Sequence, residues 1–296
     1  MADGTPQSDD LAALFAEHRP YLFAVAYRML GIAEDAEDVL QDAWLRWSAA
    51  DVGEIQHPRA YLVTIVTRLC LDLARSARRR REEYVGVWLP EPVWTPEALP
   101  DDLAAEAESA SFAFLLLLER LSPLQRAVLV LHDVFDYTHA EVAVMIGRSA
   151  AACRQVLRRA RLKLGGATSP RSRPSEEARE LVSRFLEATR AGDVESLMEV
   201  LAADVVLMSD GGGRVASVSR PLAGSQTVGR FLAGVSRQAG PSRVVQAELN
   251  AQPAMLVSED GALTNAFLFD VTAAGVTSIY VVRNPDKLKR LASEAN

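Results

Sequence analysis

The chain has 296 residues, 49% of them hydrophobic and 24% charged, the mix of an ordinary globular protein of two or three domains. Its start, MADGTPQSDDLAALF, lacks the basic segment and apolar run of a secretion signal, and no apolar stretch reaches the roughly 18 to 20 residues that span a bilayer; a cytoplasmic location without membrane contact is expected. The net charge of −7 argues against a nucleic-acid partner only as an average, because residues 83–107 hold six acids and no base while residues 108–174 hold ten bases against five acids.

Residues 9–48 read as helices broken at Gly31. The second runs from Ala33 to Ser48, with Asp35, Asp38, Gln41 and Asp42 on a polar face and Val39, Leu40, Ala43 and Trp47 on the other. Periodicity places Trp44 and Trp47 in the core. The acids of this helix, with Glu34 and Glu37, would repel DNA, so the face is either solvated or meets a basic protein. A loop, 49–58, ends at Pro58. One long helix from Arg59 to Arg81 then carries the stripe Leu62, Ile65, Val66, Leu69, Leu73 and finishes in Arg75, Arg78, Arg79, Arg80 and Arg81. That run suits either helix-end solvation or a second contact to nucleic acid. Residues 83–107 cannot be one helix, since Pro90, Pro92, Pro96 and Pro100 interrupt them. Trp88 and Trp94 in this acidic linker imply a surface on which they dock.

Helix returns over 108–120. Ser122 and Pro123 start a helix that runs to Val134, and Thr138 with Glu141 forms a capping box for His139–Ile146. Gly147 then permits a tight turn, and Ser149 caps a last helix to Leu164. No acid occurs between Val142 and Ser175. This is a helix-turn-helix whose second helix suits the major groove: Arg154 and Gln155 can pair bidentately with base edges, while Arg158, Arg159, Arg161 and Lys163 suit phosphates. A solvated basic helix is the bland alternative. Cys70 and Cys153 lie in apolar helical patterns without a second Cys or His at ligand spacing, so two reduced thiols are expected, with no metal and no cofactor.

A Gly/Ser/Pro linker at 165–175 precedes a different texture. Helices are expected over 176–191, 193–201 and 225–235, and strands over 205–209, 243–250, 254–257, 263–271 and 276–282, separated by turns such as Asp210-Gly211-Gly212-Gly213 and Asp260-Gly261. Helices followed by strands suggest an α+β domain with a curved antiparallel sheet.

With these motifs in place a resemblance becomes specific. GIAEDAEDVLQDAWLRW (31–47) followed by PRAYLVTIVTRLCLDLARSARRRR (58–81) resembles region two of the extracytoplasmic-function sigma factors of the sigma-70 family, and residues 118–164 resemble their region four. The linker motif Trp88-Leu89-Pro90-Glu91-Pro92, Asp210-Gly211-Gly212-Gly213 and Asn284-Pro285-Asp286-Lys287-Leu288 are similar to the sigma-J type, which carries a fused SnoaL/NTF2-like cone domain. The resemblance implies a multidomain fold: region two (1–82), the acidic linker (83–107), region four (108–166), a second linker (167–175) and the α+β tail (176–296). It implies RNA polymerase core as partner, through the β′ clamp helices and β flap, with Asp35, Asp38, Gln41 and Asp42 docking. It implies promoter DNA as the other partner, with His57, Arg59, Arg75, Arg78 and Arg79 at the −10 element and Ser149, Arg154, Gln155, Arg158, Arg159, Arg161 and Lys163 at the −35 element. Trp88, Pro90, Pro92, Asp210, Gly211, Asn284, Pro285 and Asp286 would form a regulatory set.

The expected function is promoter-specific transcription initiation under control of the tail, without catalysis. Two rivals are a one-component regulator with a metabolite-sensing tail, and an enzyme fused to a DNA reader. An isomerase-like tail would need a carboxylate base, for which Asp204, Asp210 and Asp270 are the candidates. A small ligand in the tail is a further possibility.

Overall fold

The computed structural model describes residues 8–50, 55–82, 84–95, 111–165 and 176–294, the side chains of 8–10 and 77–82 excepted. The chain divides into two compact units, Met1–Arg80 with Leu115–Thr168, and Arg81–Phe114 with Ser169–Asn296.

The first unit is helical: α1 (Ser8–Leu30), α2 (Ala33–Ser48), α3 (Pro58–Glu82), α4 (Phe112–Glu119, whose first three residues belong to the second unit), α5 (Pro123–Leu129), α6 (His139–Ile146) and α7 (Ala150–Leu164). Gly31 takes a positive φ of 75° and turns α1 into α2. Leu22, Val25, Ala26 and Met29 of α1, Ala36, Val39, Leu40, Ala43 and Trp47 of α2, and Leu62, Val66 and Cys70 of α3 are buried. Trp47 also donates its indole N–H to the Leu11 carbonyl at 3.1 Å. Trp44 differs from expectation: it is half-buried, with its ring edge against Phe15 at 5.3 Å.

The helix expected to reach Val134 changes character at Val130. Residues Val130–Val134 form a π-helical turn in which the Phe135 N–H reaches the Val130 carbonyl at 3.1 Å. Phe135 meets Tyr21 edge-on at 5.0 Å and lies under the Arg28 guanidinium. Asp136 follows at φ 55°.

Buried Arg126 of α5 joins three segments. It donates to the Leu118 carbonyl at 3.1 Å and the Met29 carbonyl at 3.0 Å, and pairs with Glu119. Arg68 of α3 donates to the carbonyls of Met145 and Val144 at the end of α6, at 3.0 and 3.3 Å. A helix that stops there leaves its last carbonyls short of donors, the Val144 carbonyl receiving only a long bond from the Gly147 N–H at 3.4 Å, and a cation at a helix C-terminus also meets the dipole.

The second unit contains α8 (Glu176–Ala191), α9 (Val194–Val200), α10 (Ser225–Gln238), α11 (Pro285–Glu294) and six strands: β1 (Leu201–Asp210), β2 (Leu222–Ala223), β3 (Ser242–Leu249), β4 (Gln252–Glu259), β5 (Ala262–Thr272) and β6 (Gly275–Val282). They form one sheet in the order β2-β1-β6-β5-β4-β3. The expected antiparallel sheet is corrected at one place: β1 pairs with β6 in parallel. The chain leaves β1 through β2 and α10, restarts at the far edge with β3 and meanders back, so β6 arrives beside β1 running the same way. The two-residue strand β2 and the helix α11 were not expected from sequence. Register shifts in β1/β6, β4/β5 and β5/β6 curve the sheet. One face packs on α8, α9 and α10 through Phe185, Leu197, Leu232, Phe269 and Ile279.

Strand alternation sends Leu268 and Tyr280 to the opposite face. On that face Phe112 packs on the Tyr280 ring at 5.4 Å, and residues 84–95, part of the segment expected as a linker, belong to this unit as well. Residues 96–110 and 166–175, including Pro96 and Pro100, lie outside the described residues.

Replacing Arg126 with Met should remove the guanidinium from the Met29 carbonyl, leave the Leu118 carbonyl with the Leu121 N–H, and take the Arg126 charge from Glu119. We expect a loss of about 2–4 kcal/mol of unfolding free energy in urea titrations.

Candidate functional site: a buried clip and two charged helix faces

The C-terminal end of β1 delivers Asp210 into the interior, where its side chain is fully buried. Four donors satisfy it. Tyr84 O–H (2.6 Å) and Gly212 N–H (2.9 Å) reach Oδ1, while Leu89 N–H (2.9 Å) and the Lys287 ammonium (2.7 Å) reach Oδ2. Lys287, itself 7% exposed, also donates to the Leu89 carbonyl and sits 4.4 Å from the Trp88 ring centre and 5.2 Å from that of Tyr84. Asn284 donates to the Tyr84 hydroxyl at 2.9 Å and receives the Asp286 N–H at 3.1 Å. The Asp210 carbonyl accepts the N–H groups of Arg283 and Asn284 at 2.7 and 2.9 Å.

The sequence dictates much of this. Gly212 holds φ 63°, and a Cβ there would stand 2.5 Å from the Asn284 side chain. Leu288 and Leu291 bury one face of α11, and Lys287 lies on that face one turn into the helix. Burial and the hydrogen bond to Asp210 push the Tyr84 hydroxyl pKa well above its usual value, so it stays a donor.

The three motifs singled out in sequence therefore meet at one point. Leu89, Pro90, Glu91 and Pro92 are buried, Trp88 is half-buried and caps the ammonium, Gly211 is buried, and Pro285 is exposed at the start of α11. Asp286 faces outward and pairs with Arg214 (3.0 Å) and Lys289 (2.8 Å). Beyond the clip, Val93 and Thr95 tie the segment to the β3–β4 turn. The Val93 N–H reaches Asn250 Oδ1 at 3.0 Å, and the Ala251 N–H reaches the Thr95 hydroxyl at 2.8 Å. That turn holds two non-glycine residues at positive φ, Asn250 (53°) and Ala251 (55°). Tyr84, Lys287 and Phe112 were not among the expected site residues. Only Lys287 carried a signal, a cation on the apolar stripe of a short terminal helix.

Two of the three candidate carboxylates are engaged internally. Asp210 is the anchor of the clip. Asp270 accepts the Tyr280 O–H at 2.5 Å and is bonded to Gln252, whose carbonyl oxygen accepts the Phe112 N–H at 2.7 Å. Burial raises the Asp270 pKa. Asp204 is exposed.

In the first unit, Asp38, Gln41 and Asp42 of α2 are exposed along one face and Asp35 is half-buried. Leu45 continues that face at 64% exposure. His57 is exposed before α3, Arg59 lies over the Tyr21 ring at 3.7 Å, and Arg75 pairs with Asp72 at 3.0 Å. The side chains of Arg78 and Arg79 lie outside the described residues, as do residues 51–54 of the preceding loop.

The helix-turn-helix is built as its sequence demands. Thr138 and Glu141 form the capping box, Gly147 closes α6 in the left-handed region, and the Ser149 hydroxyl accepts the Ala152 N–H at 3.2 Å. Cys153, Leu157, Ala160 and Leu164 bury one face of α7, which turns Arg154, Gln155, Arg158, Arg159 and Lys163 outward. Arg161 is engaged, forming a bidentate pair with Asp133 at 2.6 and 3.0 Å. Both cysteines are buried and free, and burial raises both thiol pKa values. No described helix is long and apolar enough to cross a membrane.

Residues 14–80 match the family Sigma-70 region 2, and residues 111–164 match Sigma-70, region 4. Over 286 residues the chain is 41% identical to the ECF RNA polymerase sigma factor SigJ of Mycobacterium tuberculosis, covering 92% of this chain and 91% of that one. The chain belongs to the ECF RNA polymerase sigma factors. The probable ECF sigma factor SigI of Mycobacterium tuberculosis is 33% identical over 291 residues, covering 97% of this sigma factor and 98% of that one. The crystal structure of Mycobacterium tuberculosis SigJ superposes with a TM-score of 0.76 at 36% identity, over 94% of this sigma factor and 98% of that chain. The multidomain reading holds: helical sigma regions two and four, then an α+β tail built on a mixed six-stranded sheet. Its role is that of a sigma factor in transcription initiation.

Removing either partner of the Asp210–Lys287 pair should strand the other charge in the interior. Lys287→Met is expected to lose about 3–5 kcal/mol of stability in the tail and to expose Tyr84–Thr95 to chymotrypsin, whereas Asp210→Asn with Lys287→Met should recover part of the loss. Limited proteolysis and thermal unfolding check both.

Proposed function

We propose that the modules at 1–82 and 108–166 divide the work of initiation by charge. The exposed stripe Asp38–Gln41–Asp42, with Asp35 at its edge, docks on the clamp helices of the polymerase β′ subunit, and region four meets the β flap. The outward face of α7 reads the −35 element, with Arg154 and Gln155 at base edges and Arg158, Arg159 and Lys163 at phosphates; Ser149 holds the helix start. His57, Arg59, Arg75, Arg78 and Arg79 serve the −10 region, where an unstacked base needs a preformed pocket. The observation that carries this reading is the opposition of one exposed acidic stripe on α2 and one exposed basic face on α7, two surfaces no single partner satisfies. Arg161 contributes less than sequence suggested, since Asp133 already holds its guanidinium.

The tail, 176–296, acts in cis through the linker, 83–107. The buried clip at Asp210 fixes the segment between the two sigma regions, so tail and linker behave as one regulatory body. Trp88, Pro90, Pro92, Gly211, Asn284, Pro285 and Asp286 shape that clip rather than a catalytic or ligand site. No catalytic step is assigned to the tail, because Asp210 and Asp270 are spent on internal partners.

Reversing charge with Asp38→Arg and Asp42→Arg should weaken core binding at least about tenfold in a pull-down titration, since like charges would face each other across the interface. Unchanged binding would overturn the docking assignment. Removal of residues 175–296 should alter promoter-dependent transcription while core binding persists; a truncated protein transcribing like the full chain would remove the regulatory role.

A further inference from the structure

The flank of α7 that turns toward α6 carries a group the sequence did not single out. A groove of about 550 Å³ is lined by His139, the first residue of α6, and by Arg154, Arg158 and Arg161 of α7, with Leu157, Leu162 and Gly165 completing its wall. The charges around His139 are almost all accounted for. On the π-helical turn, the His132 ring lies 4.1 Å from it, centre to centre and tilted by 58°, and places its own Nδ1 2.6 Å from the Tyr137 carbonyl, a contact that needs a hydrogen on that nitrogen. Asp133 of the same turn is held by Arg161. On its own helix, Glu141 is bound to the N–H and hydroxyl of Thr138 at 2.8 and 2.7 Å. Asp136 is exposed on the connecting loop. Arg154 and Arg158 project outward from α7.

His139 therefore sits among cations whose nearest acids are already engaged. Partial burial, then His132, Arg154 and Arg161, lower its pKa. The unbound protein therefore disfavours the imidazolium, and a negative ligand would reverse that balance.

We infer that this groove is a phosphodiester site for the promoter backbone, in which Arg154 and Arg158 receive a phosphate and His139 takes up one proton as the DNA binds. Arg154 then faces the rim as well as the bases. The inference rests on the proposal that α7 enters the major groove, because the groove lies on the flank of that helix where a strand of the backbone would pass. Its chemistry is simple. A phosphate oxygen accepts hydrogen bonds from two guanidiniums and an imidazolium, and the extra proton comes from solvent.

The consequence is a pH-dependent affinity with a fixed sign. A group neutral in the free state and protonated in the complex strengthens binding as pH falls, by at most about tenfold per pH unit for one proton. The experiment uses holoenzyme assembled from the full chain and core polymerase, with a −35 duplex at constant ionic strength, since salt alone shifts such affinities strongly. Between pH 8.0 and 5.5 the wild type should gain roughly three- to tenfold in affinity beyond a His139→Asn holoenzyme, and the two should converge at pH 8.0. His139→Gln should behave as His139→Asn, and thermal unfolding of both variants should match the wild type. Duplexes with single neutral methylphosphonate linkages locate the contact: one such linkage should remove the pH-dependent gain from the wild type and change nothing in the variant.

Parallel pH profiles for wild type and variants, or a gain that survives every neutral linkage, would overturn the proton uptake. The parent reading fails separately: if Arg154→Ala and Gln155→Ala leave affinity unchanged at all pH values, α7 is not the reader.

Discussion

A carboxylate taken wholly out of water must find a donor for each of its lone pairs, and Asp210 finds four. Two come from the segment between the sigma regions, one from its own turn and one from the C-terminal helix. The residues span more than two hundred positions of the chain, from Tyr84 to Lys287, yet each is needed for the others. Without Tyr84 and Leu89 the pair would face an apolar surface with unmet hydrogen bonds, and without Lys287 the buried carboxylate would carry an uncompensated charge. Trp88 closes the remaining side of the ammonium with its ring. The interaction is therefore conditional on both segments, residues 84–89 supplying two of its donors and the tail the other two.

That conditionality gives the sheet a second role. Its helix-covered face is an ordinary apolar core of Phe185, Leu197, Leu232, Phe269 and Ile279. Its other face is where Phe112, the first residue of α4, packs on Tyr280. Asp270, Tyr280 and Gln252 form a short chain of hydrogen bonds that ends on the Phe112 backbone, so the polar groups of this face are satisfied in part by the start of α4. The β3–β4 turn, with Asn250 and Ala251 in the left-handed region, is tied to the same segment. Strain that a free hairpin would relieve is retained where neighbouring contacts determine the backbone.

The helical unit is organised by cations that cap carbonyls rather than by ion pairs alone. Arg126 gathers the carbonyls of Leu118 and Met29, and Arg68 those of Val144 and Met145. The π-helical turn brings Phe135 against Tyr21 and leaves Asp133 facing Arg161. This separates the arginines of α7 into Arg161, paired with Asp133, and Arg154, Arg158 and Arg159, which are exposed. The acidic stripe of α2 remains exposed because its opposite face, from Ala36 to Trp47, is wholly committed to the core.

Sequence alone determined the helical elements of regions two and four and most of the tail. Their signals are local: apolar residues at helical spacing, the cap Ser122 followed by Pro123, the capping box at Thr138, and Gly31 and Gly147, which break the helical pattern and take positive φ in the structure. It also marked the three motifs that meet at the clip, and the outward residues of α7. What it could not give were facts that depend on distant partners. The parallel pairing of β1 with β6 follows from where the meander returns, the π-turn from packing against α1, and the capture of Arg161 from an acid 28 residues away. Tyr84 reads as an ordinary tyrosine beside a proline-rich linker until Asp210 is brought to it. Composition and periodicity act over a few residues, whereas a buried charge is settled by whatever the fold places within hydrogen-bonding reach. For that reason the elements were legible, and their joining at one carboxylate was decided by the tertiary structure.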